Sequence, residues 1–159
     1  MTHDLEKLLA KLAAFCAYRE RCTSEVVAKM AEWQLPEPVQ QQLLNCLRAE
    51  GYLNDERFAF AYAQGKFRHN QWGKVKIRLM LRQKQIPEPA IRAALNSIAP
   101  EEYMQLLHTL ATKKAMQLQH KTHQHKLQQR LFQFLATKGF EPDLVSDTVR
   151  QLIKDLQES

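Results

Sequence analysis

No apolar run in the 159 residues approaches the 18 or more that a membrane-spanning helix needs, so no membrane partner is expected. The N-terminus, Met1-Thr-His-Asp-Leu-Glu6, is polar and lacks the apolar core of a secretion signal, so a cytoplasmic location is expected. Four Gly and six Pro are too few for a collagen-like or Pro/Gly-rich disordered chain. Cys16, Cys22 and Cys46 form an odd set without metal-ligand spacing. They read as reduced thiols filling small core sites. There is no Gly-rich phosphate loop, no Gly-x-Ser-x-Gly and no Cys-x-x-Cys, so no catalytic residue, cofactor or metal is assigned. His120 and His123 are spaced i, i+3, which would allow a surface metal site. Their Gln- and Lys-rich surroundings read instead as a solvated helix junction. Glu20 and Glu25 sit at cap positions among basic residues, which suits surface pairing rather than acid–base chemistry.

Acid is missing from two long stretches. Arg57 to Pro87 carries eight Lys/Arg, and Tyr103 to Phe140 carries six Lys/Arg and four His, all without one carboxylate. The remainder holds nine Lys/Arg and all seventeen acids, so a net +6 conceals two basic blocks in an acidic background. Such a field attracts a polyanion or an acidic protein surface.

What is present, at 45% apolar residues, is a repeat of about 50 residues. Shifts of 51 and then 54 superpose Val26, Ile77 and Leu131; Met30, Leu81 and Leu135; and Leu35, Ile86 and Phe140. They also superpose Leu44, Leu95 and Val149, and Leu47, Ile98 and Leu152. Leu-Pro-Glu-Pro at 35–38 returns as Ile-Pro-Glu-Pro at 86–89 and loosely as Phe-Glu-Pro-Asp at 140–143. Within each copy the apolar spacing is helical, as in Val39, Leu43, Leu44 and Leu47. Proline opens helices, because its missing N–H would lack an intrahelical partner there. Gly51 and Gly139 stand where a left-handed residue ends a helix. Asn54, Asp55 and Glu56 supply a cap and first-turn acids.

Lys74 to Arg82 alternates basic and apolar residues and, alone, reads as a half-buried strand. Its counterparts at 24–33 and 127–138 do not alternate, so the repeat predicts a helix. Wound so, Ile77, Met80, Leu81 and Lys84 share one side, Val75 and Leu79 make a second apolar strip, and Lys74, Arg78 and Arg82 form a ridge between them. Such a helix is expected to be wedged between two neighbours.

The fold expected is all-α. Nine helices, near 4–20, 24–34, 36–50, 55–69, 73–84, 87–98, 100–119, 124–138 and 142–157, make three tandem three-helix repeats: 1–53, 54–99 and 100–159. One such unit buries little surface by itself, so stacking into an elongated, curved helical array is expected. The densest basic group, Arg57, Lys66, Arg68, Lys74, Lys76, Arg78, Arg82 and Lys84, is the candidate binding site. Its chemistry suits phosphates contacted without sequence readout, on single- or double-stranded DNA. Trp72 can stack on a base or plug a helix junction. Tyr18, Phe58 and Tyr62 are core candidates.

Asn54-Asp-Glu-Arg-Phe-Ala-Phe-Ala-Tyr62, then Trp72-Gly-Lys-Val-Lys-Ile77, Leu81 and Ile86, resemble the central signature of the RecX regulatory proteins. Arg19-Glu-Arg21, Ser24-Glu25 and Leu47-Arg-Ala-Glu-Gly-Tyr-Leu53 fit the same resemblance, which covers roughly residues 15–98 well and the third group by repeat pattern only. Two departures stand out. The family's Lys-Gly-Ile/Phe turn survives only as Lys138-Gly-Phe140, the earlier copies reading Glu32-Trp-Gln-Leu35 and Lys84-Gln-Ile86. Met80 replaces a commonly polar residue. The resemblance implies a cytoplasmic bacterial protein that binds RecA recombinase, lodges along its filament on DNA and restrains ATP hydrolysis, strand exchange and coprotease activity; a monomer without catalysis of its own is expected. The same eight basic residues would then face the filament.

Overall fold

Nine helices and no strand are present among residues 2–158, the part of the chain that the computed structural model describes (the side chain of Gln124 excepted). In order they are α1 His3–Tyr18, α2 Thr23–Ala31, α3 Glu37–Ala49, α4 Asp55–Asn70, α5 Lys74–Gln83, α6 Glu88–Asn96, α7 Pro100–Leu118, α8 Gln124–Thr137 and α9 Pro142–Glu158. The all-α repeat array is therefore what folds. The stretch that alternates like a strand is helix α5, because its apolar residues pair with a core template of helical period.

Local chemistry sets the helix ends. Asn54 Oδ1 accepts the Arg57 N–H at 3.0 Å and starts α4. Glu25 reaches back to the Cys22 N–H at 3.1 Å, and Pro100 is the first residue of α7. The turn from second to third helix has a left-handed residue in all three repeats, with φ of 52° at Gln34, 63° at Gln85 and 98° at Gly139. In the second copy Ile86 N–H returns to Leu81 O and Gln85 N–H to Arg82 O. The third copy does the same with Phe140 to Leu135 and Gly139 to Ala136. These paired bonds satisfy the last carbonyls of the helix. The second copy tolerates glutamine at Gln85 because the turn is held by those bonds and by the buried Ile86 that follows.

The repeat template forms the core. Val26, Ile77, Leu131, Met30, Leu81 and Leu135 are fully buried. The remaining template positions are buried too, except Leu35 and Leu152, which are half-buried. The chain divides into two compact units, Met1–Tyr62 with Leu81–Ala94 and Ala63–Met80 with Leu95–Ser159. In the first, Leu12, Val26, Met30, Leu43 and Leu47 form the centre of a cluster from α1, α2 and α3. In the second, α7, α8 and α9 pack on one another, and Tyr103 lies between Phe67 and Phe140, with ring centroids 5.9 and 5.3 Å away.

Each unit contains one joint of the same design. A helix N-terminus leaves backbone N–H groups without partners, and at each joint the next repeat brings acceptors to that end of the helix. At α2, the Thr23 N–H donates to Asp55 Oδ1 at 2.8 Å and the Ser24 hydroxyl to the Lys84 carbonyl at 2.7 Å. At α5, the equivalent positions put Gly73 N–H on Lys138 O at 2.8 Å, Val75 N–H on Gly139 O at 2.9 Å and Lys74 N–H on the Tyr103 hydroxyl at 2.9 Å. The Tyr103 hydroxyl donates in turn to Glu141. Burial raises the Tyr103 pKa above its ordinary value, and the Glu141 carboxylate raises it further. A Cβ on Gly73 would lie 2.3 Å from the Gly139 carbonyl, so this joint closes backbone against backbone. In the third repeat the matching position, Leu127, is already inside a helix one turn longer, its N–H bonded to His123 O.

Two expectations are corrected. Val75 and Leu79 are 47% and 54% exposed, so α5 buries one side through Ile77 and Leu81 and leaves its second apolar strip open. Tyr18 is 86% exposed at the end of α1 rather than in the core, whereas Phe58 is buried and Tyr62 half-buried.

Candidate binding surface

The eight basic residues singled out from the sequence fall in different surroundings. In the first unit, Arg57 from α4 grips Glu20, its Nε and Nη2 within 3.1 Å of the carboxylate oxygens. Arg82 at the end of α5 pairs with Glu88 at 3.2 Å. Lys84 places its ammonium 5.9 Å from the ring centres of both Phe58 and Tyr62. In the second unit, Arg68 approaches Glu102 at 3.9 Å and Gln64 at 3.2 Å. Lys66 and Lys76 lie 4.9 and 4.5 Å from the centre of the Trp72 ring, and Lys74 lies 4.9 Å from that of Tyr103. Arg78 is half-buried on α5.

The acid-free block is therefore acid-free only along the chain. Folding brings Glu20, Glu88 and Glu102 against its arginines. These are exposed pairs, worth about 0.2–1 kcal/mol each, so they reduce the local field without fixing the side chains strongly. The lysines sit on aromatic faces, where a cation is attracted by the ring quadrupole. Trp72 is half-buried with two ammonium groups beside its ring, an arrangement between the two roles that its sequence position suggested.

Glu25 is held by Arg19 and lies in the field of Lys84. Burial pushes its pKa up, but hydrogen bonds from Arg19 and the Cys22 N–H, with the charge of Lys84, bring it below the ordinary 4.5. Burial raises the Cys16 and Cys22 thiols and the Tyr62 hydroxyl.

Sequence reasoning identified the Val75–Leu79 strip but assigned it to packing. The structure leaves it open along α5, next to the Lys74 and Arg78 side of the same helix turn. Val75 and Leu79 thus stand at i, i+4 on an exposed side of α5, flanked by cations.

Two grooves among the described residues are open clefts. One, of about 600 Å³, is lined by His125, Gln129, Phe132, Val149 and Arg150. The other, of about 520 Å³, is lined by Arg48, Leu53, Asn54, Pro87 and Ala90. None of the groups with displaced pKa lines either one. Among the described residues no three His, Cys, Asp or Glu side chains are placed to hold a metal ion, and no helix is long and apolar enough to cross a membrane.

Comparison with known proteins gives a consistent result. A family model described as the second three-helix domain of RecX matches residues 54–95, and one described as the third matches residues 101–149. The chain is 30% identical over 149 residues to a regulatory protein RecX of Limosilactobacillus reuteri, covering 94% of this chain and 54% of that protein. It is 32% identical over 129 residues to a regulatory protein RecX of Clostridium perfringens, covering 80% of this chain and 60% of the relative. The chain thus spans between half and two thirds of the length of these relatives. A crystal structure of RecX from Lactobacillus salivarius superposes with a TM-score of 0.86 at 25% identity, covering 97% of this chain and 99% of that one. A second crystal structure of a regulatory protein RecX superposes with a TM-score of 0.80 at 29% identity, covering 95% and 71%.

Proposed function

The chain belongs to the RecX family of regulatory proteins, and from that membership we propose that it acts without catalysis of its own, in the cytoplasm, by binding RecA recombinase or its filament on DNA and restraining ATP hydrolysis, strand exchange and coprotease activity. The working units are the three repeats 1–53, 54–99 and 100–159, acting as a monomer. The observation that carries the reading is the open outer side of α5, where Val75 and Leu79 stand among Lys74, Lys76 and Arg78. Mixed apolar and basic surfaces of this kind fit an acidic protein partner better than bare phosphate. Arg57, Lys66, Arg68, Arg82 and Lys84 add positive field in their own units. A stand-alone, sequence-neutral DNA-binding protein is the second reading, supported by the charge blocks.

The test is RecA-dependent ATP hydrolysis on single-stranded DNA, with and without this protein. A fall in rate at stoichiometric amounts is expected, and an unchanged rate at excess refutes the proposal. The double substitution Val75→Asp, Leu79→Asp should retain helicity by far-UV circular dichroism, since both residues are exposed. It should weaken inhibition at least tenfold, because burying each aliphatic side chain contributes about 1.5–3 kcal/mol. Undiminished potency would remove α5 from the contact.

A further inference from the structure

The second basic block behaves differently from the first. Among the described residues no carboxylate lies within ion-pair distance of Lys113, Lys114, Lys121, Lys126, Arg130 or Lys138. α7 and α8 are antiparallel neighbours joined by residues 119–123, and this short connection concentrates the charge. His120, Lys121, His123, His125, Lys126 and Arg130 are all exposed around the tip. Arg130 reaches back to Thr122 Oγ1 at 3.1 Å and the rings of His123 and His125 stack 5.9 Å apart, so the tip is organised. The extra first turn of α8, absent from α2 and α5, is what carries His125 and Lys126 outward. On α9, which packs against both helices, Asp147 pairs with Arg150 and Asp155 accepts from Gln151, so neither neutralises the tip.

We infer that the α7–α8 tip is a phosphate-binding surface for the backbone of duplex DNA, separate from the α5 surface. The side-chain inventory decides between partners. Lys, Arg, His, Gln and Thr are the donors that contact phosphates, while protein interfaces are depleted in Lys and are anchored by aromatic residues. From 116 to 130 the only exposed large apolar residue is Met116. Single-strand binders combine positive charge with aromatic platforms on which bases stack, and no aromatic ring other than the histidines lies in that stretch. The proposal does not depend on RecA.

The experiment measures anisotropy of a labelled 30-base-pair duplex against salt, using the full chain without RecA. Lys121→Gln, Lys126→Gln and Arg130→Gln together should lower the log–log salt slope by about 2.7, for three lost phosphate contacts. They should also weaken binding at least tenfold at low salt, with far-UV circular dichroism unchanged. Lys7→Gln with Lys11→Gln, both exposed on α1, should leave duplex binding within twofold. The unlabelled single strand should compete no better than the duplex. The proposal is overturned if wild-type protein does not bind the duplex, if the tip variant keeps its slope, or if single strands compete better. It is equally overturned if the tip variant loses RecA inhibition while duplex binding persists, which would make the tip a protein-docking surface.

Discussion

Replacing Gly73 by alanine should be among the most costly single-methyl additions in this protein, and the reason is geometric. The new Cβ would stand 2.3 Å from both the carbonyl carbon and the carbonyl oxygen of Gly139, and 2.4 Å from the Phe140 nitrogen. All three are backbone atoms, so no side chain can rotate away. Restoring ordinary contact requires the two segments to part by about 1 Å, since non-bonded carbons settle near 3.5–4.0 Å. The bonds from Gly73 N–H to Lys138 O and from Val75 N–H to Gly139 O, now 2.8 and 2.9 Å, would then exceed hydrogen-bonding length. Stranded buried donors cost about 1–3 kcal/mol each, and the joint loses packing as well, so a loss of about 3–5 kcal/mol is expected. Gly65 is the internal control. It lies within α4, has ordinary φ, and a Cβ there would meet nothing within 4 Å. Gly65→Ala should stabilise by about 0.5–1 kcal/mol. Urea unfolding in a Trp33→Phe background, with Trp72 reporting on the joint, should show Gly73→Ala lowering the midpoint by about 2 M. A loss below about 1 kcal/mol, or two glycines that respond alike, would refute the claim that backbone contact closes this joint.

Two further expectations concern the turns and a cap. Gln85→Gly should raise stability by about 0.5–1 kcal/mol, because φ of 63° costs a side-chain-bearing residue about 1–2 kcal/mol and glycine's chain entropy recovers only part of that; a thermal melt showing destabilisation would contradict the strained-turn account. Glu25→Gln should cost about 1 kcal/mol near pH 7 by weakening the contacts with Arg19 and the Cys22 N–H. The Glu25 pKa is lower in the folded chain than the ordinary 4.5, so its contribution is present above that value and lost as pH falls through the folded value. The gap between wild type and variant should therefore close on acidification, and a gap that is constant with pH would assign the effect to shape alone.

Much of the fold could be read from residues close together in the chain. Helix α5 is the instructive case. Its alternating pattern favours a strand over nine residues, yet Ile77 and Leu81 occupy positions that Val26, Met30, Leu131 and Leu135 fill elsewhere, and all six are buried. The turn shows the reverse situation. Gln34 and Gln85 depart from the glycine of the third copy, and the backbone keeps the same left-handed conformation.

The binding surface was less legible. Arg57, Arg68 and Arg82 were correctly seen as charged and surface-placed, but their partners were invisible, because Glu20 lies 37 residues from Arg57 in sequence. The strip of Val75 and Leu79 was recognised as apolar, and only the folded chain shows that nothing covers it.

The amino-acid sequence alone determined the nine helices, their repeat register and the template positions of the core, because hydrophobic period, caps and turns act over a few residues and recur about every 50. The tertiary structure alone decided which basic block meets carboxylates and why Gly73 must be glycine. Ion pairing and backbone approach depend on distances through space between segments far apart in the chain, and no local pattern encodes those distances.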